Sequence, residues 1–199
     1  MDKENFLIKE YDSATKLTYH VDELRSKLTG FFITLGGLAA AAFTYILKSD
    51  TAKDGSLNSP MLVNIFILLS SFVGTIVILI VARLRSVQLE HFRIVNNIRD
   101  HFLKKDKELW NVVELSAETL PRPNRHSGSY FWLLLILLIT SYYFFLASYI
   151  FIFYVLSIPI LKSWIGYSIT ILVFILTMYF HDKIYIKLAR PPDRRIYNT

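Results

Sequence analysis

Histidines are the residues in this sequence best suited to metal binding or proton transfer. They are His20, His91, His101, His126 and His181. Two of them, at positions 91 and 101, share a predicted helix, where a rotation of ~100° per residue leaves them ~80° apart, a poor pair for one metal ion. The chain has no cysteine, no glycine-rich phosphate loop and no serine nucleophile elbow. We therefore expect no enzyme, no metal site and no bound cofactor.

Arg85 and His91 are the one pair whose spacing suggests a reaction. The spacing is that of the arginine and histidine motif of small helical nucleases, whose site lies in a cleft, often between two copies. The structural alternative places His91 on the buried stripe of a helix and Arg85 at the membrane surface as an anchor. We favour the structural roles and keep an RNase site as the alternative.

Long apolar segments place the chain among membrane proteins, because 53% of its 199 residues are hydrophobic. Four segments are predicted to cross the membrane, namely 28–47, 61–82, 130–158 and 164–180. None contains Asp, Glu, Lys or Arg, the groups that ion-coupled transporters and intramembrane enzymes use at membrane depth. The predicted fold is all-α, an integral membrane protein with four transmembrane helices and a cytoplasmic helical stalk.

Two charged segments with helical periodicity adjoin the first two spans. Their predicted buried stripes are Leu17, Val21, Leu24 and Leu28 in the first, and Leu84, Val87, Ile94, Ile98 and Phe102 in the second. Segments 5–27 and 83–107 have similar helical lengths of ~34 and ~37 Å. We predict that they pair in an antiparallel stalk. The domain division is then 1–108, a linker at 109–129, and 130–199 with two aromatic-rich spans and a basic tail.

Small residues recur on one face of the first span and in the second span. They are Gly30, Thr34, Gly37 and Ala41, followed by Ser70 and Gly74. Such residues let membrane helices approach closely. The pattern predicts packing between neighbouring spans or, alternatively, a seam between copies in a homo-oligomer.

Basic residues indicate the orientation. Of the 22 Lys and Arg residues, nineteen lie in segments 1–27, 83–129 and 181–199. By the positive-inside rule both termini and the long middle segment face the cytoplasm. The stalk residues predicted to meet a partner are Arg85, His91, Arg93, Arg99 and His101. The positive charge is suited to anionic lipid, and a nucleotide messenger or RNA stays open as a partner, although no stacking module for RNA is visible.

Residues 14–27 (ATKLTYHVDELRSK), the small-residue first span and residues 88–102 (QLEHFRIVNNIRDHF) resemble the SLATT class of bacterial membrane domains. In that class a helix and two spans lead into a helix that returns to the cytoplasm. The size and layout are also similar to four-span accessory proteins of bacterial CRISPR systems. The resemblance implies an inner-membrane effector beside nucleotide-signalling anti-phage systems and brings no catalytic residues.

Two functions follow as expectations. The first is an oligomeric effector or accessory of bacterial anti-phage defence that alters membrane permeability when its stalk is engaged. The alternative is a membrane anchor or scaffold that docks a soluble defence protein and has no pore activity.

Overall fold

The computed structural model describes residues 3–48, 58–105, 128–156 and 164–190, and this part of the chain is helical except for a short bend at its end. Helix α1 is Lys3–Lys48 and α2 is Asn58–Lys105. Helix α3, Gly128–Ile150, continues into a π-helical segment, Phe151–Leu156, and α4 is Trp164–Leu188. The all-α prediction is confirmed for these residues. Residues 109–127 of the predicted linker and the tail from 191 lie outside the described residues, whereas the last two linker residues, Gly128 and Ser129, begin α3.

Within the described residues, three helices are long and apolar enough to cross a membrane. They are Met61–Lys105, Tyr130–Leu156 and Trp164–Leu188. The predicted first span, 28–47, has a helical backbone within α1, but the side chains of residues 42, 43 and 45–47 lie outside the described ones. The fourth span therefore stays a prediction, as does the cytoplasmic position of the charged segments.

Helices α1 and α2 are antiparallel neighbours along their length. Their contacts run from the ion pair of Glu4 with Lys105, through Arg99 and Tyr11, to Arg25 and Gln88. With 46 and 48 residues, the helices are ~69 and ~72 Å long, about twice the ~30 Å of a hydrocarbon core. Each helix is thus one rod with an apolar half and a charged half.

The buried stripe of α1 differs from the predicted one. Leu17 and Leu24 are 43% and 36% exposed, whereas Ala14, Val21 and Phe32 are buried. The residues that α1 presents to α2 are mostly small or hydroxylated, which lets two long helices approach closely. The helical spacing of the buried residues of α1 was predicted correctly, but the face of the helix on which most of them lie was not.

The buried face of α2 is also rotated from the predicted stripe. Ile98 is buried as predicted, while Leu84, Val87, Ile94 and Phe102 are only half-buried. Leu89, Val95 and Leu103 are buried instead. Pro60 lies in the first turn of α2, where a missing N–H costs no hydrogen bond.

Helix α3 packs in the middle of the apolar halves. One core cluster joins Phe32 of α1 and Ile78 of α2 to Leu133 and Ile136 of α3 and to Tyr185 of α4. A second cluster, farther along the apolar half, joins Ala39, Val63, Ile67 and Tyr143. The Tyr143 hydroxyl donates to the carbonyl oxygen of Gly36 at 2.5 Å. That bond fixes α3 directly to α1.

The aromatic residues of α3 form a continuous contact with α4. The ring centroids of Tyr149 and Phe153 are 4.6 Å apart, and those of Phe153 and Tyr167 are 4.8 Å apart. Other aromatic side chains of α3, including Phe131, Trp132 and Tyr142, are exposed. The aromatic side chains of α3 thus include both packed and outward-facing rings.

Helix α4 continues eight residues beyond the predicted end of its span at position 180. It therefore contains Asp182, Lys183 and Lys187, which follow the predicted span, while the span itself, 164–180, holds no Asp, Glu, Lys or Arg. The sequence was divided at the first ionisable residue, His181, but the helix continues because its next turn buries His181, Asp182 and Tyr185 against the bundle.

Candidate functional site: a buried arginine pair

Two arginines meet inside the protein where the charged halves of α1 and α2 join the apolar halves. Arg25 Nη1 donates to Gln88 Oε1 at 3.1 Å, and Arg85 Nη1 donates to the same oxygen at 2.6 Å. Arg25 is 9% exposed, Arg85 6% and Gln88 1%. We call Arg25 and Arg85 the arginine pair. They are neighbouring like charges that share one neutral acceptor.

The arginine pair is poorly compensated. Asp22 accepts a hydrogen bond from Arg25 at 3.2 Å, but its carboxylate is 56% exposed and screened by solvent. The Nε atoms of Arg25 and Arg85 are buried and have no hydrogen-bond partner among the described residues. Buried charges that lack a close counterion destabilise a fold by several kcal/mol. An arrangement of this kind indicates a role other than stability.

A groove leads to the pair from the side of the bundle. It has a volume of ≈ 380 Å³. Its lining comes from α1 and α3, namely Asp22, Arg25, Ser26, Thr29, Gly30, Ile33 and Trp132. A Cβ at Gly30 would meet no atom within 4 Å, so the groove is open at that position. The buried pair is therefore accessible from outside through Arg25.

A second polar cluster lies deeper in the apolar halves. The hydroxyl of Thr75 donates to the Ser71 carbonyl oxygen at 3.0 Å and lies 3.1 Å from Nε2 of His181. A hydroxyl has one proton, so Nε2 is the donor in the tautomer in which Thr75 keeps its bond to Ser71, and Nδ1 of this buried imidazole has no partner among the described residues. In the next position, Asp182 accepts a hydrogen bond from Tyr130 at 2.7 Å.

The two clusters were not predicted. Arg25 was counted only among the basic residues that indicate the orientation in the membrane, and His181 and Asp182 were assigned to the tail. The signal that could have found them is helical spacing: Arg25 lies one turn from Val21 and from Thr29, on the face that α1 buries.

The predicted partner-binding residues occupy different environments. Arg85 is buried against Gln88, and its expected role as a membrane-surface anchor stays a prediction. Arg99 donates to the Tyr11 hydroxyl at 3.0 Å and belongs to the α1–α2 contact. His91 and Arg93 are half-buried, and His101 is exposed beside Phe102. The structure does not bring these five together in one site.

The alternative RNase site has no support in this geometry. A nuclease needs its arginine open to RNA, and Arg85 faces Gln88 in the interior. Nor do the described residues contain a group of three or more His, Asp or Glu side chains that could hold a metal ion.

The small-residue face of the first span has no internal contact among the described residues. Gly30, Thr34, Gly37 and Ala41 are all exposed there, and a Cβ at Gly37 would meet none of their atoms within 4 Å. The described helices therefore do not pack on this face, and the seam between copies stays a prediction. A different glycine, Gly36, is buried against α3.

The small residues of the second span, Ser70 and Gly74, do lie in an internal contact. Ser70 is buried and its hydroxyl donates to the Phe66 carbonyl oxygen at 3.0 Å. A Cβ at Gly74 would lie 2.8 Å from Phe32 Cζ and would also overlap Thr140. Gly74 thus permits the close approach of α1, α2 and α3.

Comparison of the chain with protein-family models, with curated proteins and with solved structures found no match.

Proposed function

We propose that this protein is an oligomeric inner-membrane effector or accessory of bacterial anti-phage defence, which alters membrane permeability when the charged halves of α1 and α2 are engaged. The defence context comes from the SLATT-like layout of residues 1–107. The mechanism is supported by the continuity of α1 and α2, each a single helix through both halves.

Continuity is the observation that carries the proposal. The charged halves are tied at their far end by Glu4 and Lys105 and at the boundary by Arg25 and Gln88. No break in either helix separates these contacts from the apolar halves. A partner that rotates or separates the charged halves would therefore displace the apolar halves as well, because helices are stiff on this length scale.

The exposed face of α1 supports a permeability path between copies. Gly30, Thr34, Gly37 and Ala41 lie side by side and unpacked in the single chain. Small residues of this kind commonly form the contact between membrane helices. In the proposed oligomer this face forms the seam, and rearrangement of the seam opens the path.

The test is membrane potential in bacteria that express the full chain, followed with a voltage-sensitive dye before and during phage infection. We expect wild-type protein to depolarise the cells. Ile98→Asp places a charge in the buried contact of α1 with α2 and should abolish depolarisation while the protein stays in the membrane fraction. Asn97→Asp, at the adjacent exposed position, is the matched control and should behave as wild type.

Depolarisation by Ile98→Asp at the wild-type level would show that the helix pair does not control permeability. Unchanged potential with wild-type protein, in both infected and uninfected cells, would exclude the permeability function.

A scaffold function is the second candidate, and exposed apolar side chains on the charged half of α1 favour it. Phe6, Ile8, Leu17 and Tyr19 all lie uncovered on this half. Phe6 and Leu17 share one face of this helix and Ile8 and Tyr19 another. On a helix that stands in water, apolar side chains left exposed by the described residues offer surface for a protein contact. Such a scaffold would bind a soluble partner and leave the membrane potential unchanged.

Charge reversal distinguishes the two candidates. Arg93→Glu changes a half-buried position that is free of the α1–α2 hydrogen bonds, whereas reversal at Arg99 would also remove its bond to Tyr11. A scaffold should lose its partner in a pull-down with Arg93→Glu. An autonomous effector should still depolarise the cells.

A further inference from the structure

The arginine pair has unused hydrogen-bonding capacity and excess positive charge. Each guanidinium has five N–H donors in a planar fork, and the described contacts of the pair go to one Gln88 oxygen and to Asp22. Both Nε atoms are buried and have no partner in the part of the chain that the structure describes. A group that accepts several hydrogen bonds and carries negative charge would satisfy the unused N–H donors and offset the positive charge of both side chains.

Access to the pair is suited to a compact anion. The groove at Arg25 is open at Gly30 and also carries the exposed Ser26, whose hydroxyl is a further donor. Asp22 lines the same groove and is bonded to Arg25, so a bound anion must share or replace that contact. The exposed position of this carboxylate lets it turn toward water.

The pair lies where the charged halves meet the apolar halves, the level of lipid headgroups. Arg25 precedes the predicted first span, which begins at 28, and Arg85 follows the second, which ends at 82. Trp132, more than half exposed at the start of α3, forms the opposite wall of the groove. Tryptophan is enriched at this depth because its ring is amphipathic.

We propose that the arginine pair is a binding site for a phosphate group, supplied either by the headgroup of an anionic phospholipid or by free phosphate. Phosphate matches the requirements because its oxygens accept paired hydrogen bonds from guanidinium groups and its charge offsets the two cations. The site is independent of any permeability function, since it rests on the pair and the groove alone.

The experiment uses the full chain purified in an uncharged maltoside detergent without phosphate. Thermal unfolding is followed while one of three probes is added: short-chain phosphatidylglycerol, inorganic phosphate, or a diacylglycerol that lacks phosphate. We expect phosphatidylglycerol or inorganic phosphate to raise the unfolding midpoint of the wild type, and diacylglycerol to leave it unchanged. The probe that acts identifies the source of the phosphate group.

The variants are Arg25→Gln and Arg85→Gln, with Arg83→Gln as the matched control because Arg83 is exposed on the same helix. Each pair variant should bind the active probe at least about tenfold more weakly, since a charge-assisted contact is lost. Without probe, the variants should unfold at or above the wild-type midpoint, because one of two neighbouring like charges is gone. Arg83→Gln should match the wild type.

Two results would overturn the proposal. One is a wild-type midpoint that responds to neither phosphate probe, a measurement that does not depend on whether any variant folds. The other is pair variants that unfold earlier than wild type yet bind the probe with unchanged affinity, which is the behaviour of a purely structural pair. Arg25→Lys, which keeps the charge, should restore part of the binding.

Discussion

At the scale of single residues, side chains of similar type have opposite roles according to the face they occupy. Tyr143 is buried and bonded to α1, whereas its neighbour Tyr142 is 53% exposed. Gly74 is enclosed by Phe32 and Thr140, whereas Gly37 has open space beside it. The sequence could not distinguish the members of these pairs, because the neighbours that enclose one of them come from other helices.

Removal of the Tyr143 hydroxyl should weaken the tie between α3 and α1. Tyr143→Phe leaves the Gly36 carbonyl without this donor, and we expect the free energy of unfolding to fall by about 1 kcal/mol. Tyr142→Phe is the control and should change it by less than half as much. The measurement is unfolding in detergent; equal effects of the two substitutions would contradict the role given to the bond.

A methyl group at Gly74 should be far more disruptive than one at Gly37. Gly74→Ala forces Phe32 and Thr140 to move, and we expect a loss of about 1–3 kcal/mol in unfolding free energy. Gly37→Ala should be neutral or stabilising within one chain, because alanine loses less entropy in a helix. If Gly37 lies in a seam between copies, this variant should also shift the oligomer toward monomers in sedimentation experiments.

At the scale of elements, continuous helices, their approximate bounds and the antiparallel order of α1 and α2 could be predicted from the spacing of apolar residues and the absence of proline. The face that each of these helices buries could not be predicted in the same way. Apolar stripes such as that of Leu17 and Leu24 were assumed to face the partner helix, but close packing favoured the small residues instead. The end of α4 was missed because polar groups at 181 and 182 find partners on α2 and α3, which the local sequence does not reveal.

The ion pair at the open ends of α1 and α2 should make their association depend on pH. The hydrogen bond and charge of Lys105 hold the pKa of Glu4 below its usual value of 4.5. Because the pKa is lowered in the folded state, the stabilisation is present above about pH 4.5 and is lost as the pH falls through the folded-state value. The contribution is small, since both side chains are exposed.

Glu4→Gln should therefore lower the unfolding midpoint slightly at pH 7 and by less at pH 3. The comparison is Glu23→Gln, whose partner Lys27 lies on the same helix. A double-mutant cycle that combines each substitution with Lys105→Met should give a coupling free energy of unfolding between Glu4 and Lys105 and none between Glu23 and Lys105. The same coupling at both pH values would contradict an electrostatic origin.

At the scale of the whole molecule, the distribution of charge predicts one orientation in the membrane. The charged halves of α1 and α2 and the end of α4 lie at the same end of the bundle, as shown by the contact of Ser86 with the Arg190 carbonyl oxygen. Most of the exposed large apolar side chains belong to the other end. This separation is the pattern that the positive-inside rule addresses.

Single cysteines test the orientation without background, because the natural chain has none. Asn97→Cys, at an exposed position of the charged half, should react with a membrane-impermeant maleimide only after the cells are opened. Ser56→Cys, in the predicted outer loop, should react in intact cells. Labelling of Asn97→Cys in intact cells would reverse the predicted topology.

The lengths of α1 and α2 have a mechanical consequence. The cross-link of Arg25, Arg85 and Gln88 lies at the middle of α1, with ~33 Å of helix on either side, but nearer the charged end of α2, with ~26 Å beyond Gln88 on the charged side and ~45 Å on the apolar side. A sideways movement of the charged tips about this cross-link would move the far ends of the apolar halves in the opposite direction. The displacement would be similar at the two ends of α1 and larger at the apolar end of α2.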